Sequence, residues 1–327
     1  MTEEEVTAQL LRLAGAPAEP PAERTARVRE AVHHEWRADR RRRLVRRSTV
    51  VALLGVAASL LVAVWLRPSR PETQPVSDVI AVAQRVQGRP SIARQSGRPE
   101  ASKPLTMSSS VYPGDLIQTD ETSRAALQAT DGSSVRIDTA SRIRFVAPDV
   151  VEVIAGAAYV STASTSHGFE IRTPLGTVRD LGTQFEVRLI ESSLRLRVRS
   201  GTVEIARGQS RTTAEAGTET MVTASGITVR RMPVYGSEWD WTTDVAPPFA
   251  IEGRTLRAYL DHLSAEQGWT LQYADASVAE AAGRTVLHGS VAALTAEEGL
   301  GVTLATSGLK YHLREGELLV SRAAGAR

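Results

Sequence analysis

The sequence predicts a single-pass membrane protein with a short helical cytoplasmic tail. Outside the membrane it predicts an all-β domain, a β-solenoid or sandwich, followed by a small α+β domain. Three observations predict this. One run of 19 residues, Ser48 to Leu66, carries no charge. From Val111 to about Val229, apolar and polar residues alternate at period two. From Phe249 onward, the apolar spacing changes to the threes and fours of helices, interrupted by short strands.

The charge-free run has 15 residues that are Ala, Val, Leu or Trp. At about 1.5 Å per residue it spans roughly 28 Å, close to the ~30 Å hydrocarbon core of a bilayer. Trp65 stands at its outer end, where an amphipathic ring favours the interface. Arg40, Arg41, Arg42, Arg43, Arg46 and Arg47 precede the run, and only Arg67 and Arg70 follow it closely. Positive charge stays on the cytoplasmic side, so the N-terminus is expected in the cytoplasm and the C-terminal region outside. A cleaved signal peptide fits less well. The run follows 47 residues and ends in Val-Trp-Leu-Arg-Pro, without a small-x-small exit.

The chain has 327 residues, enough for two or three domains, with 39 basic and 37 acidic residues and no cysteine. Zero cysteine excludes a disulfide scaffold, a thiolate zinc site and a cysteine nucleophile. The near-neutral total combines unlike parts. Residues 1–47 hold 11 arginines against 8 acids, a net +3, and residues 67–327 hold 28 basic against 29 acidic residues, a net −1. The arginine cluster reads as a topology signal and an anionic-lipid contact. Direct nucleic-acid binding is not expected, since aromatic interleaving is limited to Trp36.

Residues 1–47 read as two short helices that present an apolar stripe to a partner. Val6, Leu10 and Leu13 form the first stripe, and Val28, Val32 and Trp36 the second, with Pro17, Pro20 and Pro21 between them. Residues 67–110 read as a linker rich in Pro, Ser, Gln and Arg, with a short strand around Val79–Val86. Residues 111–229 form the all-β domain, its turns marked at intervals by Asp131-Gly132, Pro148-Asp149, Gly182, Gly201 and Gly217. Residues 230–248 are a second linker, whose Trp239 and Trp241 are expected to tuck onto a neighbouring domain. Residues 249–322 read as a small βαββαββ unit. It has strands at Phe249–Ile251, Trp269–Tyr273, Thr285–His288, Leu309–Leu313 and Leu318–Val320. Its helices start near Thr255 and run over 294–304. His262 and His312 are read as solvent-facing.

The β region carries an ordered set of motifs. They are Asp131-Gly-Ser-Ser-Val-Arg-Ile, Gly156-Ala-Ala-Tyr-Val, Phe169-Glu-Ile-Arg-Thr-Pro-Leu-Gly-Thr-Val, Asp180-Leu-Gly-Thr-Gln-Phe-Glu-Val and Val198-Arg-Ser-Gly-Thr-Val-Glu-Ile. This set resembles the FecR family, inner-membrane anti-sigma regulators of cell-surface signalling, over about residues 115–225. The last part resembles the small secretin/TonB short N-terminal type of domain. The resemblance implies that the cytoplasmic helices bind an extracytoplasmic-function sigma factor. It also implies that the β domain lies in the periplasm. There it receives a signal, in many members from the signalling domain of an outer-membrane TonB-dependent transporter. One departure stands out: the family's cytoplasmic domain has spaced tryptophans, and here Trp36 is alone. The rival class is a membrane-anchored periplasmic binding or scaffold protein without sigma-factor control.

Enzymatic motifs are missing. There is no Gly-x-Ser-x-Gly, no phosphate-binding Gly-x4-Gly-Lys, no His-Glu-x-x-His and no Gly-x-Gly-x-x-Gly. No enzyme activity, cofactor or metal is expected. One self-cleavage candidate comes from the resemblance, because some family members cut themselves at a Gly–Thr bond. In this chain the bond would be Gly182–Thr183. The plainer reading is that Gly182 supplies a positive φ in a turn and Thr183 starts a strand.

Overall fold

A computed structural model describes residues 79–96, 98–99, 102–162, 168–180, 182–292 and 294–323. They belong to one compact unit, residues 76–327. The expected tail at 1–47 and the expected span at 48–66 lie outside the described residues. Among the described residues, no helix is long and apolar enough to cross a membrane.

The period-two region and the segment before it, residues 81–231, form twenty strands. In chain order these are β1 (Ala81–Gln87), β2 (Ser91–Ala93), β3 (Gln95–Ser96), β4 (Arg98–Pro99), β5 (Lys103–Pro104), β6 (Ser110–Val111), β7 (Leu116–Gln118), β8 (Arg124–Ala129), β9 (Ser134–Ile137) and β10 (Arg142–Ala147). They continue with β11 (Val150–Ala155), β12 (Ala157–Ser161), β13 (Glu170–Thr173), β14 (Gly176–Asp180), β15 (Gln184–Ile190), β16 (Ser193–Ser200), β17 (Thr202–Arg207), β18 (Ser210–Glu215), β19 (Thr218–Thr223) and β20 (Gly226–Arg231). Two nine-stranded sheets result, in the orders β20-β19-β16-β15-β12-β9-β8-β1-β6 and β18-β17-β14-β13-β11-β10-β7-β2-β5. The chain lays short runs of strands alternately in one sheet and the other. The domain is therefore a sandwich in its layers and solenoid-like in its winding.

Alternation explains the core. Ala83, Leu127, Val135, Val160, Phe185 and Val198 sit side by side across six strands of the first sheet. All are buried against residues such as Ile143, Phe145, Val151, Val153, Val178 and Val203 of the second sheet. Two facing sheets with inward apolar rows of this kind bury a core about 10 Å thick.

The short strand expected around Val79–Val86 is present as β1, but the expected linker over 67–110 is corrected by the structure. β1 is an internal strand of the first sheet, paired on both sides with β6 and β8. Its inward residues are Ala81 and Ala83, too small to mark a core strand by hydropathy. The sandwich thus begins before residue 111 and ends at Arg231.

The small unit also differs from the βαββαββ expectation. It comprises α1 (Leu256–Gln267), β21 (Thr270–Tyr273), α2 (Ala276–Arg284), α3 (Ala296–Ala305), β22 (Leu309–Arg314) and β23 (Glu317–Arg322). The sheet order is β21-β23-β22, with β21 parallel and β22 antiparallel to β23. Phe249–Ile251 forms no strand: Ile251 packs into the helical core, with Phe249 against it. Thr285–His288 makes a single bridge, Thr255 with Val286. Helix α2 was missed because only Val278 and Ala282 are buried along it, a faint stripe in an alanine-rich segment. The helix starts are well specified. Thr255 caps α1, Asp275 caps α2, and Thr295 forms a capping box with Glu298 at α3.

Gly156 joins β11 to β12 at φ 76°, and a Cβ there would lie 2.2 Å from Ser141 Oγ and 2.5 Å from Ser141 Cα. Gly156→Ala is expected to destabilise the domain by about 2 kcal/mol or more, read by chemical denaturation.

Candidate functional site

The outward face of the first sheet is where the structure departs most from a solvated surface. One cross-strand row runs Arg85, Ala126, Arg136, Tyr159, Glu186, Arg197, Glu219, Arg230. Arg136, Tyr159, Glu186, Arg197 and Glu219 are nonetheless buried. The chain after β20 folds back over this face through a 3-10 turn at Ser237–Trp239, one α turn at Asp240–Asp244, and then α1.

Each buried charge has a partner. Arg136 is 1% exposed; it donates from Nη1 to the Thr242 carbonyl at 2.8 Å and from Nη2 to Glu266 Oε1 on α1 at 2.7 Å. Burial opposes ionisation of Glu266, but the Arg136 guanidinium outweighs it and holds the carboxyl below the usual carboxylate range. Glu186 accepts from Arg195 at 2.8 Å, from Arg188 at 3.2 Å and from the Trp241 indole at 2.8 Å. Arg197 donates to Glu219 at 2.7 Å and pairs with Glu238 at 2.6 Å. Arg199 donates to the Val234 carbonyl at 2.9 Å and lies 4.9 Å from the centre of the Trp239 ring.

Aromatic rings fill the gaps between these charges. Tyr159 meets Trp239 and Trp241 edge to face, with centroids 6.2 and 6.5 Å apart. Trp239 and Trp241 thus pack where their apolar area predicted. His262, one turn before Glu266 on α1, stacks on Phe249 at 4.2 Å. It is half-buried rather than solvent-facing, and desolvation lowers its pKa below the ordinary value. His312 is exposed.

The Gly182–Thr183 turn has a defined local chemistry. Gly182 sits at φ 94°, and β15 follows from Gln184. The buried Thr183 hydroxyl donates to Asp180 Oδ1, and the Gly182 N–H donates to the same oxygen at 2.6 Å. Thr162 clamps the next peptide. Its hydroxyl accepts from the Thr183 N–H at 2.8 Å, and its own N–H donates to the Thr183 carbonyl at 3.1 Å. A hydroxyl held on a carboxylate is the arrangement that general-base activation uses. Asp180 is the carboxylate that would act as the base, a group that sequence reasoning did not single out although it opens that motif. In an N-to-O acyl shift here Asp180 would take the hydroxyl proton and pass it to the Thr183 nitrogen, as the Gly182–Thr183 amide bond breaks and the Gly182 carbonyl carbon forms an ester with Thr183 Oγ1. Water would then cleave the ester.

The other residues singled out by the sequence lie outside the described residues: Val6, Leu10, Leu13, Val28, Val32 and Trp36, together with Arg40 to Arg43, Arg46 and Arg47. Among the described residues, no group of three His, Asp or Glu side chains could hold a metal ion. Sequence reasoning also missed Arg136, Glu186, Arg197 and Glu266. Their period-two or helical spacing suggested a solvated face. The available signal was the run of paired opposite charges on neighbouring predicted strands.

Glu266→Ala leaves Arg136 buried and unpaired and is expected to cost about 3–5 kcal/mol in denaturant unfolding. Arg136→Met combined with Glu266→Leu is expected to come close to the parent stability. For the turn, a denaturing gel of the mature chain tests cleavage at Gly182–Thr183. Two fragments that merge into one full-length band in Thr183→Ala are the expected pattern if the shift occurs, and a single band in both chains would exclude it.

Residues 115–204 match the family model described as FecR protein. The comparison with curated proteins gives no match. Two crystal structures of a proposed anti-sigma factor from Parabacteroides distasonis align at 17% and 18% identity, covering 64% of this chain and 99% of that one, with a TM-score of 0.34. A TM-score of 0.34 is too low to speak for a common fold.

Proposed function

We propose that this chain, which carries a FecR-family domain over residues 115–204, is an inner-membrane anti-sigma regulator. The observation that carries the reading is that family match, which falls within the two-sheet sandwich. In this reading residues 1–47 hold an extracytoplasmic-function sigma factor through the Val6/Leu10/Leu13 and Val28/Val32/Trp36 stripes. Residues 48–66 cross the membrane once. The sandwich and the small α+β unit lie in the periplasm and take up the signal. Among the described residues, β21 and β22 are the edge strands of the small unit's sheet, which suits strand addition by the signalling domain of an outer-membrane transporter.

The full-length chain, solubilised in detergent and used as bait, is expected to retain an extracytoplasmic-function sigma factor. Val28→Glu combined with Val32→Glu is expected to release it. A chain that retains no sigma factor, yet binds an envelope component, would be a membrane-anchored scaffold instead.

A further inference from the structure

The sandwich ends unfinished at one side. β19 and β20 form the last hairpin of the first sheet, and the chain then leaves across the outer face, so no further strand is laid in the second sheet. Register shows what this leaves uncovered. Ile227 lies opposite Val222, and Val229 opposite Thr220, on the core-facing side. Val222 and Thr220 are 1% and 0% exposed, whereas Ile227 and Val229 are 38% and 56% exposed. The first sheet therefore overhangs the second by one strand, and the overhang shows its apolar side. β18, the recessed last strand of the second sheet, has a free edge among the described residues.

We propose that a second copy of this chain completes this end, the overhanging β20 of each copy pairing with the recessed β18 of the other. Three features select this partner. The step is self-complementary: a two-fold axis along the strands, midway between the sheets, places each overhang in the other copy's recess. The same operation brings Ile227 and Val229 of one copy against Ile227 and Val229 of the other, closing the core with apolar groups.

Direction and charge agree with this pairing. β18 and β20 finish at the same end of the sandwich. Glu215 lies opposite Thr202, the Ala216 N–H donates to the Gly201 carbonyl, and the Met232 N–H donates to the Gly217 carbonyl. The axis preserves strand direction, so β20 meets its new neighbour in parallel. With the two six-residue strands offset by one residue, so that outward positions stay outward, Arg230 then stands beside Glu215 of the other copy, Thr228 beside Thr213, and Gly226 beside Arg211. An antiparallel register centred on the same threonines would set Arg230 against Arg211, a like-charge contact that destabilises a strand pair. Neither strand contains proline or lysine, residues that commonly guard exposed edges.

The absence of native cysteine makes the test clean. Thr213→Cys and Thr228→Cys are introduced singly and together in the full-length chain, in detergent and under mild oxidation. Paired strands lie about 4.8 Å apart, within disulfide reach. Within one copy the two positions sit on opposite outer faces. The double variant is expected to give a covalent dimer, and neither single variant should. A dimer from either single variant would mean like-strand pairing and would overturn the proposal. So would a double variant that cross-links no faster than the singles. Val229→Glu, exposed in a lone copy, is expected to leave thermal unfolding unchanged while lowering cross-linking at least about tenfold. Cross-linking indifferent to Val229→Glu would also overturn the proposal.

Discussion

Everything C-terminal to the sandwich is positioned by the burial of both faces of one sheet. The first sheet packs its Leu127, Val135, Val160, Phe185 and Val198 row inward and its Arg136, Tyr159, Glu186, Arg197 and Glu219 row beneath its own downstream chain. An antiparallel sheet more often gives one face to water. Here the second face is polar, and burying it requires a partner for each charge. Arg136 sets the geometry, because one guanidinium ties the strand to both the Thr242 carbonyl and Glu266 on α1. The aromatic contacts of Tyr159 with Trp239 and Trp241 then complete the seam.

A polar seam differs from an oily one in what it supplies. Replacing apolar packing by ion pairs contributes little net stability, since desolvation offsets most of the Coulomb gain. What such pairs contribute is orientation. The fork of Arg136 accepts one placement of α1, and Arg199 a single path for the backbone at Val234. The seam thus fixes the relation between the two halves more than it deepens the energy well.

The sequence showed the sandwich where alternating residues were large, as at Phe185/Val187 and Leu194/Leu196/Val198. It showed β1 as a short strand but hid its place inside the sandwich, because Ala81 and Ala83 fill inward positions without standing out as apolar. It showed the capped start of α1 through Thr255 and the existence of α3, and hid α2, whose stripe is only Val278 and Ala282. The seam was hidden for a different reason. Arg136 and Glu266 are 130 residues apart, so each read as an ordinary outward charge until the fold brought them together. At the Gly–Thr turn the motif was legible, while the clamp by Thr162 came from a separate strand end.

The tight cap of α1 carries a consequence for how such chains can be recombined. Gly268, at φ 69°, ends the helix so close to the Val234 carbonyl that even a methyl group would fall 2.0 Å from it. Helix end, connecting segment and sheet face are thus cut to one another's shape. The terminal unit is not an interchangeable cassette. Grafted onto another sandwich, it would have to bring with it the residues that shape the seam on strands β9, β12, β15 and β16.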